Sequence, residues 1–185
     1  QPISTEICAF KEAYQAALHS ENTLLCQMIN HVNKSLGKQM RPMLVLLCAK
    51  LCGGVTQETL HAAVAIELLH VASLIHDDVI DESDQRRGSP SLFAKFQSKA
   101  SVLGGDYFLS TALSEAVKTN NLDVVSQIAS MGRVLVDGEL LQLSNSKNAI
   151  YKESDYFSII KAKTAALFCT CTTLGTLTGT AHTDQ

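Results

Sequence analysis

The stretch Ala62-Ala-Val-Ala-Ile-Glu-Leu-Leu-His-Val-Ala-Ser-Leu-Ile-His76 decides the fold, because it is apolar on nearly every side when wound as an α-helix. Such a helix must lie at the centre of other elements rather than at a surface. Through most of the remaining chain, apolar residues recur at helical spacing, and no alternation indicates a sheet. We therefore predict an all-α fold, with helices over residues 3–19, 21–35, 40–52, 56–83, 89–117, 121–144 and 153–180.

Local sequence also predicts where helices begin and end. Pro42 and Pro90 are expected in first helical turns, where the missing N–H of proline is tolerated. Breaks are predicted at Gly53-Gly54 and at residues 119–121, and the clearest polar loop at residues 144–148.

Composition limits the function classes. The chain has 185 residues, of which 46% are hydrophobic, and its net charge of −3 argues against a nucleic-acid partner. No run approaches about 20 uncharged apolar residues, so no integral membrane segment is expected. The six cysteines form no disulfide framework, which predicts reduced thiols and a cytoplasmic protein. Four of them lack the histidines of a zinc site and are interpreted as buried small hydrophobic residues: Cys48, Cys52, Cys169 and Cys171.

An acidic cluster directly follows the apolar stretch. Asp81 lies about 40° from Asp77 around a helix, and Asp78 about 60° from Asp81, so three carboxylates share one face at the end of an apolar helix. They would repel one another there, and a helix C-terminus disfavours further negative charge. Oxygen ligands of this kind suit Mg²⁺ better than zinc. The alternative, a solvated acidic helix end, stays open on the spacing alone.

Basic and amide side chains supply the complementary charge. Lys38 and Arg41 flank a helix start, Arg86 and Arg87 follow the acids, and His70 lies two turns before Asp77 near the same face. Gln142 lies on an apolar helix, and Lys163 sits with Thr164 inside an apolar run, where a lysine either reaches the surface or meets an anion. Taken singly, each could be a surface residue. Taken together, they predict a site for a diphosphate that carries a hydrocarbon tail.

These residues resemble the trans-isoprenyl (polyprenyl) diphosphate synthases, in particular medium- and long-chain, octaprenyl-type members. The matching motifs occur in the family's order, and they are Gly37-Lys38-Gln39-Met40-Arg41-Pro42, Glu67-Leu-Leu-His70, Asp77-Asp78-Val-Ile-Asp81, Asp84-Gln-Arg86-Arg87-Gly88, Gly105-Asp106, Gly138-Glu139-x-x-Gln142 and Lys163-Thr164-Ala165. The resemblance implies a helical bundle around a central cavity, a homodimer, and Mg²⁺-dependent condensation of isopentenyl diphosphate with an allylic diphosphate.

The resemblance also implies a role for each matching residue. Asp77, Asp78 and Asp81 would bind Mg²⁺ and the allylic diphosphate, and Lys163 would join them as a catalytic residue. The remaining substrate-binding positions fall into two sets, with Lys38, Arg41, His70 and Arg87 on isopentenyl diphosphate and Arg86, Lys163, Thr164 and Gln142 on the allylic substrate. Small residues at Ala72 and Ser73, where short-chain members carry bulky aromatics, would leave room for a longer product.

The chain departs from the family at its C-terminal side. A second aspartate-rich motif, which complete members carry, does not occur in residues 89–185. We therefore expect residues 1–185 to form one partial synthase domain that lacks its C-terminal part and has little or no activity alone. The helix predicted over 153–180 should then lack packing partners. A non-catalytic partner subunit, a class I terpene cyclase and a plain helical bundle remain as alternatives.

Overall fold

The computed structural model describes residues 3–148 and 152–180, and this part of the chain is a helical bundle, as predicted. The helices are α1 (Ser4–Ala17), α2 (Thr23–Lys34), α3 (Met40–Leu51), α4 (Gln57–Ile80), α5 (Leu92–Lys118), α6 (Leu122–Asn148), α7 (Glu153–Ile160) and α8 (Ala166–Thr178). One π-helical turn, Lys161–Ala165, joins α7 to α8. The predicted breaks at Gly53-Gly54 and at residues 119–121 both lie between helices.

Helix α4 is the centre of the bundle. Every residue from Ala62 to Ala72 is buried, and α1, α3, α5, α6 and α8 all pack around this helix. The hydroxyls of Thr56 and Thr59 each donate to the Thr178 carbonyl, at 3.0 and 2.8 Å, and so attach the start of α4 to the end of α8. The length and composition of α4 would suit a membrane-crossing helix, although 72% of its most apolar window is buried, as in a core helix.

The segment after α4 differs from the prediction. A short hairpin pairs β1 (Gln85–Arg86) with β2 (Ser89–Pro90), so Pro90 lies in a strand and not in a first helical turn. Arg87 and Gly88 both have positive φ, as a two-residue hairpin turn of this twist requires. Helix α5 begins only at Leu92, after Ser91 accepts the N–H of Ala94 as N-cap. The helical spacing of apolar residues that follows Ser89 led to the prediction of a helix where the chain forms this hairpin.

Residues 144–148 are helical, and the polar loop predicted there is wrong. Helix α6 continues to Asn148, whose amide donates to the Ser144 carbonyl at 2.9 Å. The Asn145 amide donates to Asp155 on α7 at 3.1 Å. Polar residues with partners of this kind can extend an exposed helix end, so their composition alone does not indicate a loop.

The expectation that residues 153–180 lack packing partners is wrong, because α8 packs in the core and α7 lies against α6. Leu167, Cys171 and Leu174 on α8 are fully buried, whereas α7 has no buried residue. A Cβ added at Gly175 would lie 2.5 Å from the Val45 carbonyl oxygen, so the α3 and α8 backbones approach at a position that only glycine allows.

All six cysteines are free, and they differ in burial. Cys171 is buried, Cys48 and Cys52 are partly exposed, and Cys169 is exposed. The interpretation of all four as buried hydrophobic residues is therefore correct for Cys171 only.

Candidate functional site

The three aspartates at the end of α4 divide into two groups. Asp78 is 3% exposed and accepts a hydrogen bond from Arg86 Nε at 2.9 Å, with a second guanidinium nitrogen on the same oxygen. Asp77 and Asp81 are joined through the backbone, where the Asp81 N–H donates to the Asp77 carbonyl at 2.8 Å, and both carboxylates are more accessible than that of Asp78. The shared face predicted for all three holds fully only for Asp77 and Asp81.

Helix α6 and the π turn form the wall opposite these aspartates. Lys163 lies on the π turn, donates to Gln142 Oε1 at 3.1 Å and forms an ion pair with Glu139. A Cβ added at Gly138 would lie 2.8 Å from Ala162 Cβ, so glycine permits the close approach that brings Lys163 to α6. Insertions of a single π turn often occur at functional sites.

Charged groups on α6 and the π turn affect the pKa of the Asp77 carboxylate. The pKa of Asp77 is raised to about 6, first by burial and then by the nearby Glu139 carboxylate, while Lys163 acts in the opposite direction. Asp81 raises this pKa further, and Arg86 lowers it. Among the charged groups that act on one another here, the three carboxylates of Asp77, Asp81 and Glu139 outnumber the two cations, Lys163 and Arg86.

The donor set fits a magnesium ion that shares its coordination shell with a substrate. Within residues 3–148 and 152–180, no three His, Cys, Asp or Glu side chains converge as a metal-binding group. Mg²⁺ in phosphate-transfer sites commonly uses one or two carboxylates and completes its shell with phosphate oxygens and water. Asp77 and Asp81 supply such a pair, in a place where carboxylates outnumber cations.

A second polar cluster lies where the α2–α3 loop and the hairpin meet α4. Arg87 donates to the Ser35 carbonyl at 2.9 Å, and a Cβ at Gly37 would lie 2.5 Å from an Arg87 nitrogen. Lys38 is exposed in the same loop, between α2 and α3. A pocket of about 50 Å³ between α2, α4 and the hairpin is lined by Ser35, Asp78, Arg86 and Arg87, among others, and so connects this cluster with the aspartates.

His70 and Arg41 complete the second cluster. Burial lowers the pKa of His70 to about 3, and the charges of Arg41, Arg87 and Arg86 lower it further in the same direction. His70 is therefore neutral at physiological pH, with one ring nitrogen able to donate and the other to accept. The Arg41 guanidinium lies 5.5 Å from the centre of the Phe168 ring. The structure thus places the charges of Arg41 and Arg87 near His70.

The remaining predicted positions have different surroundings. Thr164 is exposed beside Lys163. Ser73 is partly exposed, and its hydroxyl donates to the His70 carbonyl at 2.8 Å. Ala72 is 2% exposed within the core, so a larger residue there would displace packed neighbours instead of filling open space.

Two acidic residues near the site were not among the predicted site residues. Glu139 is the ion-pair partner of Lys163, and its signal was its spacing of three residues from Gln142 on an apolar helix. Glu67 is buried three residues before His70 on the face that Arg41 approaches, and the signal was a lone acid in an otherwise apolar stretch.

Comparisons with known proteins agree on one family. The sequence model of the polyprenyl synthetase family matches residues 22–185. Geranylfarnesyl diphosphate synthase of Methanosarcina mazei is 35% identical over 89% of this chain and 55% of its own length. Octaprenyl diphosphate synthase of Haemophilus influenzae is 37% identical over 83% of this chain and 46% of its own length.

Comparison with solved structures gives the same family. A decaprenyl diphosphate synthase of Rhodobacter capsulatus superposes with a TM-score of 0.91 at 35% identity, over 98% of this chain and 56% of that one. The chain therefore spans about half the length of the relatives that it matches.

Proposed function

We propose, since this chain belongs to the polyprenyl synthetase family, that it supplies one metal-binding wall and the isopentenyl diphosphate site of a prenyltransferase. The reaction would join isopentenyl diphosphate to an allylic diphosphate and give a medium- or long-chain polyprenyl diphosphate. The observation that carries the proposal is the group of charges around Asp77, which includes Lys163 and Glu139, together with a second, cationic cluster around His70 two turns earlier on α4.

Asp77 and Asp81 would hold Mg²⁺, and Asp78 would contribute by fixing Arg86 beside them. A magnesium ion there would supply positive charge to the diphosphate of the allylic substrate, which makes the diphosphate a better leaving group when its bond to the allylic carbon breaks. Lys163 and Gln142 already contact each other, and with Arg86 and Thr164 they would bind the same diphosphate. The Lys163 ammonium would then exchange part of its contact with Glu139 for a phosphate oxygen.

Arg41, His70 and Arg87, with Lys38 from the neighbouring loop, would bind isopentenyl diphosphate. Two guanidinium groups provide charge and paired N–H donors that match phosphate oxygens. The neutral His70 can donate one hydrogen bond to the diphosphate without adding a further buried cation.

We also propose a homodimer in the cytoplasm. Large apolar side chains are exposed on α5 and α6, among them Leu103, Val117, Leu122, Val136 and Leu140. Patches of this kind commonly mark interfaces. The free cysteines are consistent with a reducing compartment. Sedimentation analysis tests the dimer, and a monomer at micromolar concentration would contradict it.

Calorimetry with pyrophosphate, with and without Mg²⁺, tests the metal site. We expect binding to require Mg²⁺ and to weaken by about a hundredfold in Asp77→Asn, the equivalent of ~3 kcal/mol. Asp123→Asn, at an exposed aspartate early in α6, is the matched control. Equal binding with and without Mg²⁺ would leave only a helical bundle with an acidic rim.

The activity itself is tested on two polypeptides. We expect the 185-residue chain to show little or no condensation of isopentenyl diphosphate, and the full-length product of its reading frame to show Mg²⁺-dependent chain elongation. Normal turnover by the 185 residues would contradict the first expectation. Mg²⁺-dependent diphosphate binding by the full-length product without elongation would favour a non-catalytic partner subunit.

A further inference from the structure

Five buried side-chain polar atoms lack hydrogen-bond partners in the described part of the chain, and three of them come from helices that pack against one another. These three are the Tyr14 hydroxyl on α1, Oε2 of Glu67 on α4 and Nε of Arg41 on α3. Tyr14 is 1% exposed and Glu67 is 4% exposed. Buried polar atoms without partners are rare in native proteins, so three of them in one neighbourhood require an explanation.

Helices α1, α3 and α4 pack against one another, and Glu67 lies within electrostatic range of both Tyr14 and Arg41. The Glu67 carboxylate raises the pKa of Tyr14 in addition to the larger effect of burial. Burial raises the pKa of Glu67, and Arg41 is the first charge that opposes this increase. Burial lowers the pKa of Arg41, and Glu67 opposes that decrease in turn.

Packing restricts how these side chains can find partners. Tyr14 is held beside the buried Phe10, with ring centres 5.9 Å apart, and these two residues are the buried face of α1. The Arg41 guanidinium lies over the Phe168 ring of α8, so its planar face is occupied while Nε remains unpaired. The contact with Phe168 therefore leaves Arg41 Nε without a hydrogen-bond acceptor.

We propose that a buried water molecule joins the Tyr14 hydroxyl, the Glu67 carboxylate and Arg41 Nε in one hydrogen-bonded network, which fixes the Arg41 guanidinium for an incoming diphosphate. Tyr14 and Glu67 are then positioning residues, and they act on isopentenyl diphosphate only through Arg41. The inference rests on the proposed function. It also gives α1 a role in substrate binding, although α1 precedes the residues that match the family model.

Tyr14→Phe and Glu67→Gln test the network in the full-length product of the reading frame, with substrate affinities measured by calorimetry. Each variant should weaken isopentenyl diphosphate binding by about tenfold and leave the Mg²⁺-dependent affinity for an allylic diphosphate unchanged. The double variant should bind about as weakly as the weaker single variant, because coupled residues are not additive. Phe10→Leu is the packing control, since it alters the same face of α1 without removing a polar atom.

The outcomes separate this inference from the proposed function. If the unsubstituted protein fails to bind isopentenyl diphosphate, both fail. If it binds but the variants match it within twofold, or if both substrates weaken together, only the network is overturned. A crystal structure of the unsubstituted protein is a test that needs no variant. If Tyr14 and Glu67 were hydrogen-bonded there to groups other than a water molecule shared with Arg41, the network would also be overturned.

Discussion

Arg86 holds the carboxylate of Asp78, with Nε 2.9 Å from Oδ1, and so withdraws the middle member of the acidic motif from the face that carries Asp77 and Asp81. The pair links the end of α4 to the hairpin that follows it. Asp78 is nearly fully buried while Arg86 keeps about a third of its side chain exposed, so the pair is held at the edge of the core.

Removing Arg86 should destabilise the protein, because Asp78 would stay buried without its partner. We expect Arg86→Ala to lower the free energy of unfolding by about 1–3 kcal/mol. Asp78→Asn should cost less, since its amide oxygen can still accept from Arg86. Urea titration at pH 7 measures both, and a larger loss in Asp78→Asn than in Arg86→Ala would contradict this account.

The close approach of α3 to α8 at Gly175 should make any side chain there destabilising. Gly175→Ala should improve helix propensity by about 1 kcal/mol, but the added Cβ would meet the Val45 carbonyl and Cys48 Cβ at 2.5 and 2.6 Å. We expect a net loss of about 2 kcal/mol in the free energy of unfolding. The control is Gly132→Ala on α6, where the nearest atom lies at an ordinary 3.7 Å. Denaturant titration of the control should show unchanged or increased stability, and an equal loss in both variants would refute the argument.

Buried His70 should make the fold sensitive to acid. Its folded pKa of about 3 lies below the unfolded value of about 6.5, so the unfolded state binds more protons between these values. Stability is therefore complete above pH 6.5 and is lost as the pH falls toward 3, by about 1.5 kcal/mol between pH 6.5 and 5. His70→Gln should lose less stability over this interval, whereas His19→Gln, at an exposed position, should follow the unsubstituted protein. Identical slopes for the unsubstituted protein and His70→Gln would contradict this assignment.

A bulky side chain at position 73 should shorten the product. Ser73 lies one turn before Asp77 and is partly exposed, so an aromatic ring there can enter the space that a growing chain would use. We expect Ser73→Phe in the full-length polypeptide to give a shorter main product by chromatography, and Ser73→Ala to leave the product unchanged. An unchanged product length in Ser73→Phe would rule out this path for the chain. Ala72→Phe is the poorer test, because Ala72 lies in the packed core.

The elements that sequence predicts well are those whose signals are local. The apolar period around α4 predicted a central helix, and four-residue spacing placed Asp77 near Asp81. The partner of Asp78 could not be predicted in this way, because it depends on a hairpin hidden in a helical pattern. Glu139 is similar, since its contact with Lys163 depends on the packing of α6 against the π turn. Spacing along one helix carries no information about which residue on another helix it will face.

The π turn at Lys161–Ala165 has a consequence for how this region can vary in length. A π turn holds one residue more than an α-helical turn, so deleting one residue there could restore a regular helix. The deletion would also rotate everything on one side of it by about 100° relative to the other. With α8 fixed by its buried residues, α7 would turn away from Asn145, and Lys163 would no longer be directed toward Glu139 and Gln142. The direction of this lysine is thus set by a count of residues as much as by their identities.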